Sequence, residues 1–173
     1  LSSWSFTPLD RLTGIITPNG LVFERHHAGI PEIDPDQHRL AIHGLVEHPI
    51  VMTMDDILRL PAVSQIRFLE CAGNSYTEVL RMPRSKGVQF SHGLLSSCEW
   101  TGVPLSTVLA EAGVKPEAKW VLAEGADAAA MARSIPIEKA LDDTLVVYAQ
   151  NGEMLRPEQG YPLRLLVPGY EGN

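Results

Sequence analysis

Alternating apolar and polar positions dominate this chain, and helical spacing is confined to short runs. Gln65-Ile66-Arg67-Phe68-Leu69 alternates as a half-buried strand does, so residues 64–70 predict a strand that breaks at Cys71. Residues 38–44 predict another, with Leu40 and Ile42 alternating. Residues 120–123, 144–149 and 161–167 predict three more, the last two joined by an Asn151-Gly152 turn and a polar loop. Thr53-Met54-Asp55-Asp56 opens a short helix at Ile57-Leu58-Leu60, with Thr53 as N-cap and two acids in the first turn; Pro61 ends it. In a second helix, over 104–113, Leu105, Val108 and Leu109 share a face, Pro104 suits the first turn and Gly113 the C-terminal cap. Residues 134–140 read as a strand end entering one helical turn, and residues 1–37 as irregular around the apolar Leu21-Val22-Phe23.

This pattern predicts an α+β fold, short helices beside sheets of mixed direction. Thirteen prolines and fourteen glycines spread along the chain favour short elements and turns. Regular βαβ alternation is absent, as are G-x-G-x-x-G and phosphate-loop motifs, which argues against a nucleotide fold. At 173 residues, 45% hydrophobic and 20% charged, the composition suits one soluble domain with a substantial core. The net charge of −7 argues against a basic surface for nucleic acid, and no apolar run approaches the roughly 20 residues that span a bilayer. Leu1 is not an initiator methionine, no signal peptide is visible, and the chain stops just after an apolar run and a Pro-Gly turn. Both ends read as cut, so the expectation is an internal piece of a longer protein.

Four segments carry candidate chemistry. In Glu70-Cys71-Ala72-Gly73-Asn74 a strand ends in a turn, with Gly73 and Asn74 the residues that most easily take positive φ. A thiolate fixed there serves as nucleophile, redox centre or metal ligand, or the cysteine is a small buried hydrophobe. Two cysteines allow at most one disulfide, Cys71–Cys98, and both thiols free is the other reading. Arg25-His26-His27 suits an anion through hydrogen-bond donation, or is a solvated basic turn. Adjacent histidines on a strand point to opposite faces, and His92 and Cys98 add no recognisable zinc spacing. Asp127 follows the small-residue loop Gly125-Ala126, where it caps a turn or meets a ligand. Arg164, amid Leu163, Leu165 and Leu166, is costly to bury unless an anion pairs with it, a carboxylate or a ligand phosphate. No Ser-His-Asp arrangement or nucleophile elbow is present.

Taken in order, Phe23-Glu24-Arg25-His26-His27, Asp34-Pro35-Asp36-Gln37-His38-Arg39-Leu40 with Gly44, Glu70-Cys71-Ala72-Gly73-Asn74, Glu124-Gly125-Ala126-Asp127 and Ser134-Ile135-Pro136 form a series. Asn151-Gly152-Glu153, Gly160-Tyr161-Pro162-Leu163-Arg164 and Val167-Pro168-Gly169 complete it. The set resembles the molybdopterin domain of the sulfite oxidase family across nearly the whole chain. His26-His27-Ala28-Gly29-Ile30-Pro31, Ile42-His43-Gly44-Leu45-Val46 and the stretch from Arg156 to Arg164 are most similar to the molybdenum subunit of bacterial sulfane dehydrogenases, the SoxC type. Gln159 stands where sulfite oxidases proper carry a histidine, and Asn74-Ser75-Tyr76 departs from their more basic cysteine turn.

The resemblance implies a sulfite-oxidase-type molybdopterin-binding fold over 1–173, with the C-terminal dimerisation domain and an active-site tyrosine beyond Asn173. It implies a molybdenum–molybdopterin cofactor with Cys71 as the protein's ligand to the metal, a soft donor suited to it. Phe23, Arg25, His26, His27, Asp127, Gln159 and Arg164 would grip the pterin and its phosphate, and Arg25 would also face the substrate oxyanion. The implied chemistry is a two-electron oxidation at sulfur, with electrons leaving singly to a c-type haem. No C-x-x-C-H motif occurs here, so that haem would lie on a partner cytochrome subunit or a missing segment. The implied substrate is sulfane sulfur on a carrier protein, the alternative free sulfite; the implied setting is the periplasm, in a homodimer or heterotetramer. From another class, a cofactor-free relative would serve as a docking module. Cys98 is expected to be structural.

Overall fold

The computed structural model describes residues 2–76, 80 and 87–172. Its centre is a five-stranded sheet of β5 (Val63–Glu70), β6 (Leu95–Pro104), β9 (Leu145–Gln150), β10 (Glu153–Met154) and β11 (Arg164–Leu166). Central β9 pairs β6 on one side, and β10 and β11 end to end on the other; β5 pairs the far edge of β6. These pairings are antiparallel. Three two-stranded sheets surround it: β1 (Ser3–Ser5) with β2 (Glu24–His26), β3 (Leu40–Ile42) with β4 (Ile50–Met52), and β7 (Trp120–Glu124) with β8 (Ala132–Pro136). The described helices are short: α1 (Met54–Leu58), α2 (Gly87–His92), α3 (Leu105–Ala112) and α4 (Ile137–Asp142).

Local chemistry sets the boundaries. Thr53 caps α1 through a reciprocal box: its hydroxyl accepts from Asp56 N–H, and the Asp56 carboxylate accepts from Thr53 N–H at 2.9 Å. Gly113, at φ 68°, ends α3 in the left-handed conformation, as expected for a glycine cap. The Asn151-Gly152 turn has both residues at positive φ, which the β9–β10 hairpin requires. At the cysteine turn the expectation needs correcting. Neither Gly73 nor Asn74 takes positive φ; Ser75 does, at 59°. Ser75 is held there by its N–H to Ser91 O at 2.7 Å and by Oγ against His92 Nδ1 at 2.9 Å.

Two apolar clusters flank the main sheet. One joins Val22, Phe23, Leu69, Leu94, Cys98, Trp100, Leu145, Val147, Leu155 and Leu166. The other packs α1, α3 and α4 through Ile57, Val103, Val108, Leu109, Ala140 and Val146. Trp100 and Val103, three positions apart on β6, face opposite sides, and the register shift opposite Thr101 and Gly102 leaves Tyr148 of β9 without a partner on β6. The N-terminal segment is strapped to the sheet: Thr17 N–H donates to Ser97 O at 2.7 Å, and Asn151 Nδ2 donates to Thr17 O at 2.9 Å.

Candidate active site

Cys71 sits at the tip of β5, where its N–H still bonds Leu94 O at 3.0 Å before the chain turns away. Asn74 N–H donates to Cys71 O at 2.8 Å, closing the turn. The Asn74 side chain clamps both flanks, donating to Glu70 Oε1 at 2.8 Å and accepting from Leu94 N–H at 3.1 Å. The Cys71 side chain is half-buried, with Gly73 N–H pointing at its sulfur from 3.4 Å. Both cysteines are free thiols, so no Cys71–Cys98 bridge forms.

The thiol faces a cleft of about 1330 Å³ between the main sheet and the β3–β4 and β7–β8 hairpins. Every candidate named from the sequence borders it: Phe23, Arg25, His26, His27, Asp127, Gln159 and Arg164 together with Cys71. Its lining carries Arg25, Arg39, Arg133 and Arg164 with four of the six histidines, beside the acids Glu24, Glu124, Asp127 and Glu158, a lining richer in cations than the chain's net charge of −7. Such a concentration of donors suits an anionic ligand. His38, on the cleft wall, has its pKa lowered by burial and by neighbouring Arg39.

Individual placements differ. Arg164 opens β11 with its side chain on the Trp100 face of the sheet; Nη1 donates to Gln159 O at 3.1 Å, and Nε is buried without a hydrogen-bond partner. Burial pushes its pKa down to about 10, while Cys71 and Cys98 pull the other way. The arginine expected to be buried is half-buried, with its Nε shielded, and no carboxylate pairs with it among the described residues. Gln159 is buried, and its Nε2 donates to Phe23 O at 2.9 Å, tying the short helical turn Pro157–Gln159 to the strand carrying Arg25. His26 stands against Glu24 Oε2 at 3.3 Å on one face of β2, and the next residue, His27, is exposed in a bend just past the strand's end, so the two histidines do not share a strand, contrary to expectation. Arg25 turns toward the N-terminal strand, with Nη1 2.9 Å from Ser2 Oγ and 2.6 Å from His26 O, and the guanidinium 5.5 Å from the Trp4 ring. Asp127 lies in the β7–β8 loop, where its carbonyl accepts from Ala130 N–H at 3.1 Å.

Cys98 is fully buried beneath the site. Burial pushes its thiol up to about 11, against hydrogen bonds from Asn151 and Gln150 and the charge of Arg164. Trp100, Arg133 and Arg39 are not among the site residues the sequence singled out. Arg133 was findable, since it shares strand parity with the buried Ile135 of β8.

A sequence pattern described as an oxidoreductase molybdopterin binding domain matches residues 27–173. The chain belongs to this family. Within the sulfite oxidase type of molybdopterin domain, the chain is 49% identical to the crystal structure of the sulfane dehydrogenase SoxCD from Paracoccus pantotrophus. The TM-score is 0.92, over 99% of this chain and 44% of that one. Human mitochondrial sulfite oxidase is 35% identical over 91% of this chain and 31% of its own length. The NADH nitrate reductase of Ulva prolifera is 39% identical over 92% of this chain and 20% of its own length. The chain thus spans less than a third of these curated relatives.

The molybdopterin-binding family implies a molybdenum–pterin cofactor, and the donor set of this cleft fits one. A soft sulfur donor stands at the cleft surface, and a half-buried guanidinium retains a shielded nitrogen with no partner, the arrangement a phosphate completes. No group of three or more histidine, cysteine or acidic side chains could hold a metal among the described residues. None of the described helices is long and apolar enough to cross a membrane.

Proposed function

We propose that this chain is the molybdopterin-binding domain of a sulfane dehydrogenase, residues 1–173 forming one such domain of a longer periplasmic protein. The observation that carries the reading is the pairing, on one cleft wall, of the half-buried Cys71 thiol with the partnerless Nε of Arg164. Cys71 would be the protein's ligand to molybdenum. Arg164 would take the pterin phosphate, with Phe23, His26, His27, Asp127 and Gln159 shaping the pterin's bed. Arg25 would meet the oxyanion of the substrate, leaving its contacts with Ser2 and His26 O to do so. When bound, the cofactor supplies two-electron oxidation at sulfur. The chain's own part is to fix one thiolate, supply cations and exclude water around the reacting sulfur.

Carrier-bound sulfane sulfur is the substrate this reading favours, on the 49% identity over nearly the whole chain to SoxCD. Free sulfite is the second reading, supported by the 35% identity to human sulfite oxidase. Electrons would pass to a c-type cytochrome partner, in an assembly that is homodimeric or heterotetrameric. Metal and pterin analysis of the full-length protein, followed by turnover of sulfite against a carrier-bound persulfide, tests all of this. Molybdenum at one per chain with faster persulfide turnover is expected. An active preparation free of molybdenum would overturn the reading, and faster sulfite turnover would move it to sulfite.

A further inference from the structure

Trp100 lies in the middle of β6, fully buried, one layer beneath the site. Its cross-strand neighbours are Gln65 on β5 and Gln150 on β9. Its Nε1–H donates to Arg67 O at 3.0 Å, which fixes the rotation of the ring. The guanidinium carbon of Arg164 lies 5.8 Å from the ring centroid. The buried polar side-chain atoms left without a partner among the described residues are Gln65 Oε1, Gln150 Oε1 and Arg164 Nε, all in side chains around this ring. Arg164 is thus a half-buried cation with its Nε shielded from solvent, one carbonyl contact, an aromatic face and no counter-charge among the described residues. Burial without a paired anion disfavours the charged form, and a desolvated π face offsets part of that cost.

We infer that Trp100 is a positioning residue for Arg164. Its ring supports the guanidinium from beneath, while Gln159 O fixes one nitrogen, so the remaining N–H groups face the cleft. The inference rests on the reading of Arg164 as the pterin-phosphate contact. A core filler would occupy the same space but would not depend on the electrons of the ring, and that difference can be measured.

The test uses full-length, pterin-loaded protein and reads pterin release after dilution, by filtration and fluorescence of the oxidised pterin. Arg164→Met should release pterin at least about tenfold faster. Trp100→Leu should accelerate release by up to about tenfold, and Trp100→Phe, which keeps a π face, by less than about threefold. In the Arg164→Met background, Trp100→Leu should add less than about twofold, although it lowers the melting temperature equally in both. If Trp100→Leu does not fold, tryptophan fluorinated at the ring and placed at position 100 keeps the shape and weakens the face. Release should then quicken with each added fluorine. Equal acceleration by Trp100→Leu with and without Arg164, or no response to fluorination, would overturn the inference. Unchanged release from Arg164→Met would instead remove the phosphate assignment on which it rests.

Discussion

The two faces of the central sheet are built from the same strands and do different work. The face toward α3 and α4 is aliphatic: Val103, Leu105, Val108, Leu109, Ile137 and Val146 close over it. Its buried polar neighbour Thr144 is satisfied, its hydroxyl donating to Lys139 O at 2.9 Å. The opposite face carries two thiols, the Trp100 ring, Gln150, Gln159 and Arg164, and the partnerless polar atoms gather there. One face maximises burial. The other leaves polar atoms unmet, and of the side chains that carry them Arg164 borders the cleft, as expected where a site is built against a core.

Breaking either face should give opposite phenotypes. The largest effect on turnover is expected from Cys71→Ser in the full-length protein: a loss beyond about a hundredfold, since even outer contacts of metal sites cost 10- to 100-fold. Its melting curve should match that of the unsubstituted protein, measured side by side by circular dichroism. Retained turnover would favour a cofactor-free docking module. On the aliphatic face, Ile57→Ala, away from the cleft lining, should cost about 2–5 kcal/mol in denaturant unfolding and leave pterin content per folded molecule unchanged. A drop in pterin content would show that the two faces are coupled.

Alkaline titration sharpens the contrast. Cys98 ionises near 9.0 when unfolded and only near 11 when folded, so the native state retains a proton that the unfolded chain gives up. This has no effect below pH 9, lowers stability progressively from pH 9 to 11, and then levels off, for a total of about 2–3 kcal/mol. Cys98→Ala should flatten that part of the stability–pH curve. The smallest effect belongs to a position away from the cleft: Thr53→Val removes the α1 capping box and should cost about 1 kcal/mol, with turnover unchanged.

Sequence patterning reached the elements with strong local signals. The capped α1, the glycine-ended α3, the alternating β5 and the Asn-Gly hairpin all stand where pattern and turn chemistry put them. The longest strand, β6, went unread. Ser96, Ser97, Glu99, Thr101 and Gly102 dilute its apolar content, so its alternation carries little apolar signal. Only pairing with both β5 and β9 makes those small residues necessary. A Cβ at Gly102 would fall 2.2 Å from Val146 O. At the site, the residues whose types carry chemistry were visible, Cys71 and Arg164 foremost. The ring beneath Arg164 was not, because a tryptophan in a strand gives no sign of which cation will rest on it. Cleft residues from separate hairpins, such as Arg39 and Arg133, are likewise brought together only by tertiary packing.

The strap formed by the N-terminal segment bears on where this unit can be divided. The family pattern starts at residue 27, yet Thr7, Thr17, Val22 and Phe23, all before it, are buried. Thr7 Oγ1 meets Ser96 Oγ at 2.6 Å, and Phe23 N–H donates to that same hydroxyl at 3.1 Å. A boundary drawn at residue 27 would run through the interior, uncovering Cys98 and the underside of the cleft. The stretch that the family pattern leaves out is, mechanically, a wall of the binding site. Any minimal version of the unit that omits it should expose apolar surface and lose its grip on the cofactor together.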